Sequence, residues 1–153
     1  MRLAGRIEEV PVIHPGACHC GAIRFEFATV SPPARWSVRQ CACTFCRAHG
    51  ALWTSDTAGS LRILLRQPDA VACYRFGQRS ADFLFCGRCG SLVIVRMDQH
   101  DGARGIINVR ALDPVPDSLP APTVVNYDGE SAATRETRRR QNWTPLMPMA
   151  AST

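Results

Sequence analysis

The chain has 153 residues, 46% of them hydrophobic and 20% charged, the balance of one globular domain rather than of a disordered or multi-domain chain. Its 18 basic residues are all arginines, set against 13 acidic ones for a net charge of +5, and no run approaches the roughly 18 apolar residues that a membrane span requires. Arg2, Arg6, Glu8 and Glu9 interrupt the opening segment where a signal peptide would need an apolar stretch, so a cytoplasmic protein is expected.

Along the chain, residues 22–28, 60–66, 70–76, 81–86, 91–97 and 104–110 read as strands from their alternation and their β-branched or aromatic content. Ile23, Phe25 and Phe27 share one face of the first of these and Arg24 and Glu26 the other, the pattern of a half-buried antiparallel strand. The stretch Leu92–Val95 lacks polar alternation and predicts a strand covered on both faces. Helical expectations are confined to a short turn near Thr44–Ala48 and a helix over Ser131–Gln141. From Leu112 onward, Pro114, Pro116, Pro120 and Pro122 predict an extended segment that wraps over the domain. The resulting division is one domain over 1–153, with a core at 16–113 and a Pro-rich wrap and Arg-rich segment at 114–153. Arg135, Arg138, Arg139 and Arg140 in that segment suggest a solvated helix face, with a nucleic-acid or acidic-partner patch as the other possibility.

Eight cysteines carry the chemistry. They fall into a C-x-C pair (Cys18, Cys20), a C-x-C-x-x-C triplet (Cys41, Cys43, Cys46), a C-x-x-C pair (Cys86, Cys89) and the isolated Cys73, which is expected to be a small buried hydrophobe. In a reducing compartment such clusters hold metal more often than they form disulfides. Seven thiols divide naturally as four plus three, a closed structural zinc site and an open one, because structural zinc takes four protein ligands and catalytic zinc three. Gly87 and Gly90 would let the Cys86–Cys89 knuckle turn tightly. The two cysteines of the Cys18–Cys20 pair could complete its tetrahedron. Spacing alone permits other groupings. For the triplet, a structural zinc completed by His19 or His49, a redox-active thiol pair and an iron–sulfur cluster are alternatives.

The strings "GACHCGAIRFEF" (16–27), "CACTFCRAHGALW" (41–53), "FLFCGRCGSLVIVR" (83–96) and "INVRALD" (107–113) together resemble the glutathione-dependent formaldehyde-activating enzyme family, which also includes centromere protein V-like proteins. The resemblance implies an all-β, mainly antiparallel β-tent, a Mss4-like zinc-binding fold with few short helices. It implies structural zinc on Cys18, Cys20, Cys86 and Cys89, catalytic zinc on Cys41, Cys43 and Cys46, and condensation of glutathione with formaldehyde, a carbon–sulfur lyase in reverse. On this reading a thiol, glutathione or a similar one, takes the fourth position of the three-cysteine zinc and attacks a small electrophile, Arg47 binds a substrate carboxylate and Trp53 walls the pocket. The competing expectation is a non-enzymatic zinc-binding module whose Arg-rich tail contacts nucleic acid or an acidic protein. The tail from Thr123 to Trp143 departs from the formaldehyde-activating members, and it would help to shape the pocket.

Overall fold

The computed structural model describes residues 8–148 and the backbone of 150–151. Arg2 and Arg6, used above against a secretion signal, lie outside the described residues. Among those residues no helix is long and apolar enough to cross a membrane.

The described residues are mostly β-sheet, as expected, with two short helices and short 3-10 turns. One sheet has four strands in the order β1 (Val12–Ala17), β2 (Ile23–Thr29), β5 (Ser60–Leu65), β12 (Ala150–Ala151). The larger sheet runs β10 (Thr123–Val125), β3 (Arg39–Cys41), β4 (Trp53–Thr54), β9 (Gly102–Asn108), β8 (Leu92–Gln99), β7 (Asp82–Cys86), β6 (Val71–Tyr74), with β11 (Thr144–Pro145) also pairing β9. All pairings are antiparallel except β10 with β3 and β12 with β5. Helix α1 spans Thr44–His49 and α2 spans Ala132–Asn142.

The alternation read from the sequence becomes the first core. Ile23, Phe25 and Phe27 of β2 pack with Leu61 and Ile63 of β5 against Ile94 of β8 and Ile107 of β9 between the two sheets. Each such side chain contributes about 1.5–3 kcal/mol by leaving water. Gly16 faces this core, where a Cβ would press into the Phe25 ring and the Ala111 carbonyl, so no larger residue fits there. On the opposite face of the large sheet a second core gathers Val95, Met97, Ile106, Trp53 and Trp143 with Cys46. Leu92, Val93, Ile94 and Val95 are all buried, because β8 is covered on both faces as its apolar run predicts.

Strands β1, β3, β4, β10, β11 and β12 were not among the predicted elements. Five of the six are two or three residues long, and β1 is an edge strand carrying Pro15; none presents enough periodicity to be read from sequence. The proline-rich segment leads into β10, which adds to the edge of the large sheet beside β3. Cys73 corrects an expectation. It lies exposed on β6, the outer strand of that sheet, because an edge strand has no neighbour to cover it.

Candidate metal centres and the cleft at the three-sulfur cluster

Two groups of sulfurs come together. Cys18 and Cys20, in the turn between β1 and β2, meet Cys86 and Cys89, at the end of β7 and in the turn before β8. All four Sγ atoms lie within 4.8 Å of one another. The Cys18–Cys20 and Cys20–Cys86 sulfur separations are 3.7 and 3.6 Å. A tetrahedron with zinc–sulfur bonds of about 2.3 Å has edges of about 3.8 Å, so these sulfurs stand where a four-thiolate zinc site would hold them. Backbone amides support the set: Ile23 N–H donates to Cys18 Sγ at 3.3 Å and Arg88 N–H to Cys86 Sγ at 3.4 Å. Gly90 closes the knuckle at φ +78°, donating its N–H to the Cys86 carbonyl at 2.8 Å. Gly87 acts differently from the expectation. Its φ is not in the left-handed region; its amide instead reaches the Ala70 carbonyl at 2.7 Å, tying the knuckle to the start of β6.

The second group is Cys41, Cys43 and Cys46, again with sulfurs within 4.8 Å. Cys41 ends β3, Cys43 caps the N-terminus of α1 by accepting from Cys46 N–H at 3.4 Å, and Cys46 sits one turn into the helix. The C-x-C-x-x-C spacing thus turns a strand end and a helix start toward one point. Left to themselves these sulfurs share protons unequally. The Cys46 thiol donates to Cys41 and draws the Cys41 thiol down to about 6 against the effect of burial. The same bond, followed by burial, pushes Cys46 up, and burial pushes Cys43 up. A cation bound here replaces those shared protons as the partner of the sulfurs. Neither His19 nor His49 joins either group among the described residues. His49 is exposed and packs its ring against Phe45 at 4.5 Å between centroids.

The surroundings separate the two groups. Cys41, Cys43 and Cys46 line a cleft of about 750 Å³, within the usual range for ligand pockets, whereas none of the four other clustered cysteines does. Trp53, Phe83, Val95 and Ile106 form its apolar floor. Trp53 is only 3% exposed and its indole N–H bears on the Cys46 thiol, so it is both a core residue and part of the wall. Arg47 lines the cleft from an exposed position on α1.

The far wall is the C-terminal segment, and it corrects the reading of the arginine run as a solvated helix face. Helix α2 starts where expected, with Ser131 Oγ accepting from Thr134 N–H at 3.1 Å. Three of its four arginines, however, turn into the cleft. Glu130 accepts from Arg135 at 3.2 Å and from Arg138 at 2.9 and 3.0 Å, and Arg138 lies 3.5 Å over the Tyr127 ring. These arginines hold the Glu130 carboxyl below its ordinary range. Arg139 is 8% exposed, with its guanidinium over Trp143 and donating to Ser80 Oγ at 2.8 Å. Only Arg140 points elsewhere, to Glu136 at 3.0 Å. Arg39 on β3 completes the basic lining and was not singled out from the sequence.

Fold and sites together define an all-β protein with two cysteine clusters that could hold metal ions such as zinc, one of them open to a ligand-sized cleft. Residues 13–128 match the model of the glutathione-dependent formaldehyde-activating enzyme family, and the chain belongs to that family. It is also similar to a Rhodobacter sphaeroides protein solved by crystallography, at 28% identity and a TM-score of 0.57, over 72% of this chain and 99% of the other.

Proposed function

We propose that the protein is a zinc-dependent enzyme of the carbon–sulfur lyase type, joining glutathione or a similar thiol to formaldehyde or another small electrophile, or cleaving such adducts. The observation that carries this reading is that the three-sulfur cluster, unlike the four-sulfur one, opens onto the cleft. In it Cys18, Cys20, Cys86 and Cys89 hold a structural zinc that ties β1–β2 to β7–β8. Cys41, Cys43 and Cys46 hold the second ion. Zinc bound there supplies an open coordination position that keeps a substrate thiol ionised at neutral pH.

The rest falls to the chain. Trp53, Phe83 and Ile106 exclude water from the sulfur end of the cleft, which preserves a thiolate's reactivity and the adduct formed from it. Substrate sulfur bonds to the carbonyl carbon, the carbon–oxygen π pair moves to oxygen, and that oxygen takes up the proton given up by the thiol. The reverse path returns that proton to sulfur as the bond breaks. Arg47, at the exposed margin, steers an anionic thiol inward. One domain performs this function, 16–113 carrying both sulfur clusters and 114–153 the far wall. A cytoplasmic setting suits it, since that compartment keeps thiols reduced.

The test is zinc content per chain, with bound glutathione counted in the same reduced samples, followed by the rate of adduct formation with formaldehyde. Two zincs per chain, saturable glutathione and a rate above the uncatalysed one support the reading. One unchanging zinc with no glutathione bound sinks it.

A further inference from the structure

Among the described residues, Arg139 is a buried cation without an anion. Its Nη1 donates to the neutral Ser80 hydroxyl and approaches Met97 Sδ at 3.8 Å, and its Nε has no partner. No carboxylate is within ion-pairing distance among the described residues. Glu130, whose charge is felt at Arg139, already accepts from Arg135 and Arg138. Burial lowers the Arg139 pKa to about 10, which leaves the guanidinium charged at neutral pH. Arg39 on β3 repeats the pattern: half-buried, it donates to Ser55 Oγ at 2.7 Å and pairs with no described carboxylate. Both line the same cleft as Cys41, Cys43 and Cys46, in which five arginines face only Asp128 and Glu130. A buried charge is costly unless something pairs with it, and the donor fork of a guanidinium suits a carboxylate.

We infer that Arg139 and Arg39 form a carboxylate receptor in the cleft, so that α2, which lies beyond the matched residues 13–128, selects an anionic thiol over a neutral one. This rests on the proposed thiol site. Glutathione, with two carboxylates on one small thiol, has the required chemistry, and Arg139 is a specificity-determining residue. Arg47, the arginine picked from the sequence, is exposed, so water screens its pull on a ligand more than it screens that of Arg139.

Calorimetric titration of the zinc-loaded full chain tests this with three probes: glutathione, its diethyl ester, and S-methylglutathione, which keeps the carboxylates but blocks the thiol. The wild-type protein should bind glutathione about 10- to 100-fold more tightly than the ester. Arg139→Met should lose a similar factor for both acidic probes, leave the ester unaffected, and melt no lower than wild type, because it removes an unpaired buried charge. Arg39→Met provides a second variant should the first fail to fold. If folded variants bind both acidic probes as wild type does, or if the ester binds wild type as well as glutathione does, the receptor is wrong. Cys43→Ser separates the two readings. It should abolish the preference for glutathione over S-methylglutathione while the arginine dependence of S-methylglutathione binding persists; unchanged glutathione binding would sink the thiol site alone.

Discussion

Replacing Cys20 by serine isolates the mechanical contribution of the four-sulfur cluster. Cys20 is exposed, so the substitution deletes almost no packing, and a surface change of this size ordinarily moves stability by less than about 0.5 kcal/mol. Yet its sulfur lies 3.6 Å from that of Cys86, 66 positions along the chain. A cross-link closing a loop of that length removes about 4 kcal/mol of loop-closure entropy from the unfolded chain. For a chain of this size that corresponds to a melting temperature lowered by about 8–16 °C, before any loss of bonding to the ion itself is counted. The assay is thermal unfolding of wild type and Cys20→Ser under reducing conditions, each with and without a strong zinc chelator. Chelation should bring the wild-type protein down to the variant and should move the variant little. A variant that melts within about 2 °C of wild type in the presence of zinc would refute the reasoning, since an exposed thiol would then be only an exposed thiol.

Further outcomes follow from the same geometry. Cys43→Ser should keep its melting temperature within a few degrees, because the four-sulfur cluster is intact, while losing thiol binding and adduct formation; unfolding of this variant in a melting scan would make the triplet structural. Glu130→Gln should cost about 1–3 kcal/mol at pH 7 by removing the charged acceptor shared by Arg135 and Arg138. Because the folded-state pKa of Glu130 is lowered, that contribution is present above the ordinary glutamate pKa of about 4.3 and is lost as pH falls from there through the lowered value. Urea midpoints of wild type and variant should therefore converge below about pH 4, and a constant gap would contradict the assignment. Trp143→Ala should destabilise by about 3–5 kcal/mol, as it empties a 5%-exposed site in the core beneath the cleft, and should also weaken glutathione binding by freeing the Arg139 guanidinium from the ring that positions it. Unfolding and binding titrations of the one variant check both effects, and undiminished affinity would detach Trp143 from the site.

Legibility in the sequence tracked the range of the interactions. Period-two alternation in β2 and the apolar run of β8 announced which faces are buried, and each cysteine motif announced a local set of thiols, because each signal is complete within a few residues; which distant pairs meet, as Cys20 and Cys86 do across 66 positions, was not legible in the spacing. The elements that carry the three-sulfur site were harder to see. β3 and β4 are too short to show a period, and what makes them strands is their neighbours, with Trp53 opposite both Arg39 and Asn108. The arginine run misled for a related reason. Read as composition, Arg138, Arg139 and Arg140 look like a solvated charge block, but a helix separates consecutive residues by about 100°. Arg135, Arg138, Arg139 and Trp143 share one side of α2, while Arg140 and Glu136 pair on another. That i, i+3, i+4 set of cations ending in a tryptophan was available in the sequence as a sign that the helix docks by its basic face.

The same placement explains why the site lies at this edge of the sheet. The four-sulfur cluster is formed from the β1–β2 turn of one sheet and the β7–β8 turn of the other, and its sulfurs do not line the cleft. The three-sulfur cluster sits where β3 ends and α1 begins, beside β10, so the chain that follows β10 passes over it before reaching α2. Residues 125–143 therefore line a cleft whose sulfur end comes from the family core and whose basic lining comes largely from beyond the matched residues. A change in α2 can alter which molecule enters without disturbing the sulfurs, and a change in the triplet can abolish the chemistry without opening the wall. On the proposed reading, chemistry falls to the triplet and selection to Arg139 of α2 with Arg39 of β3, and variants of Cys43 and Arg139 should differ in which measured quantity they move.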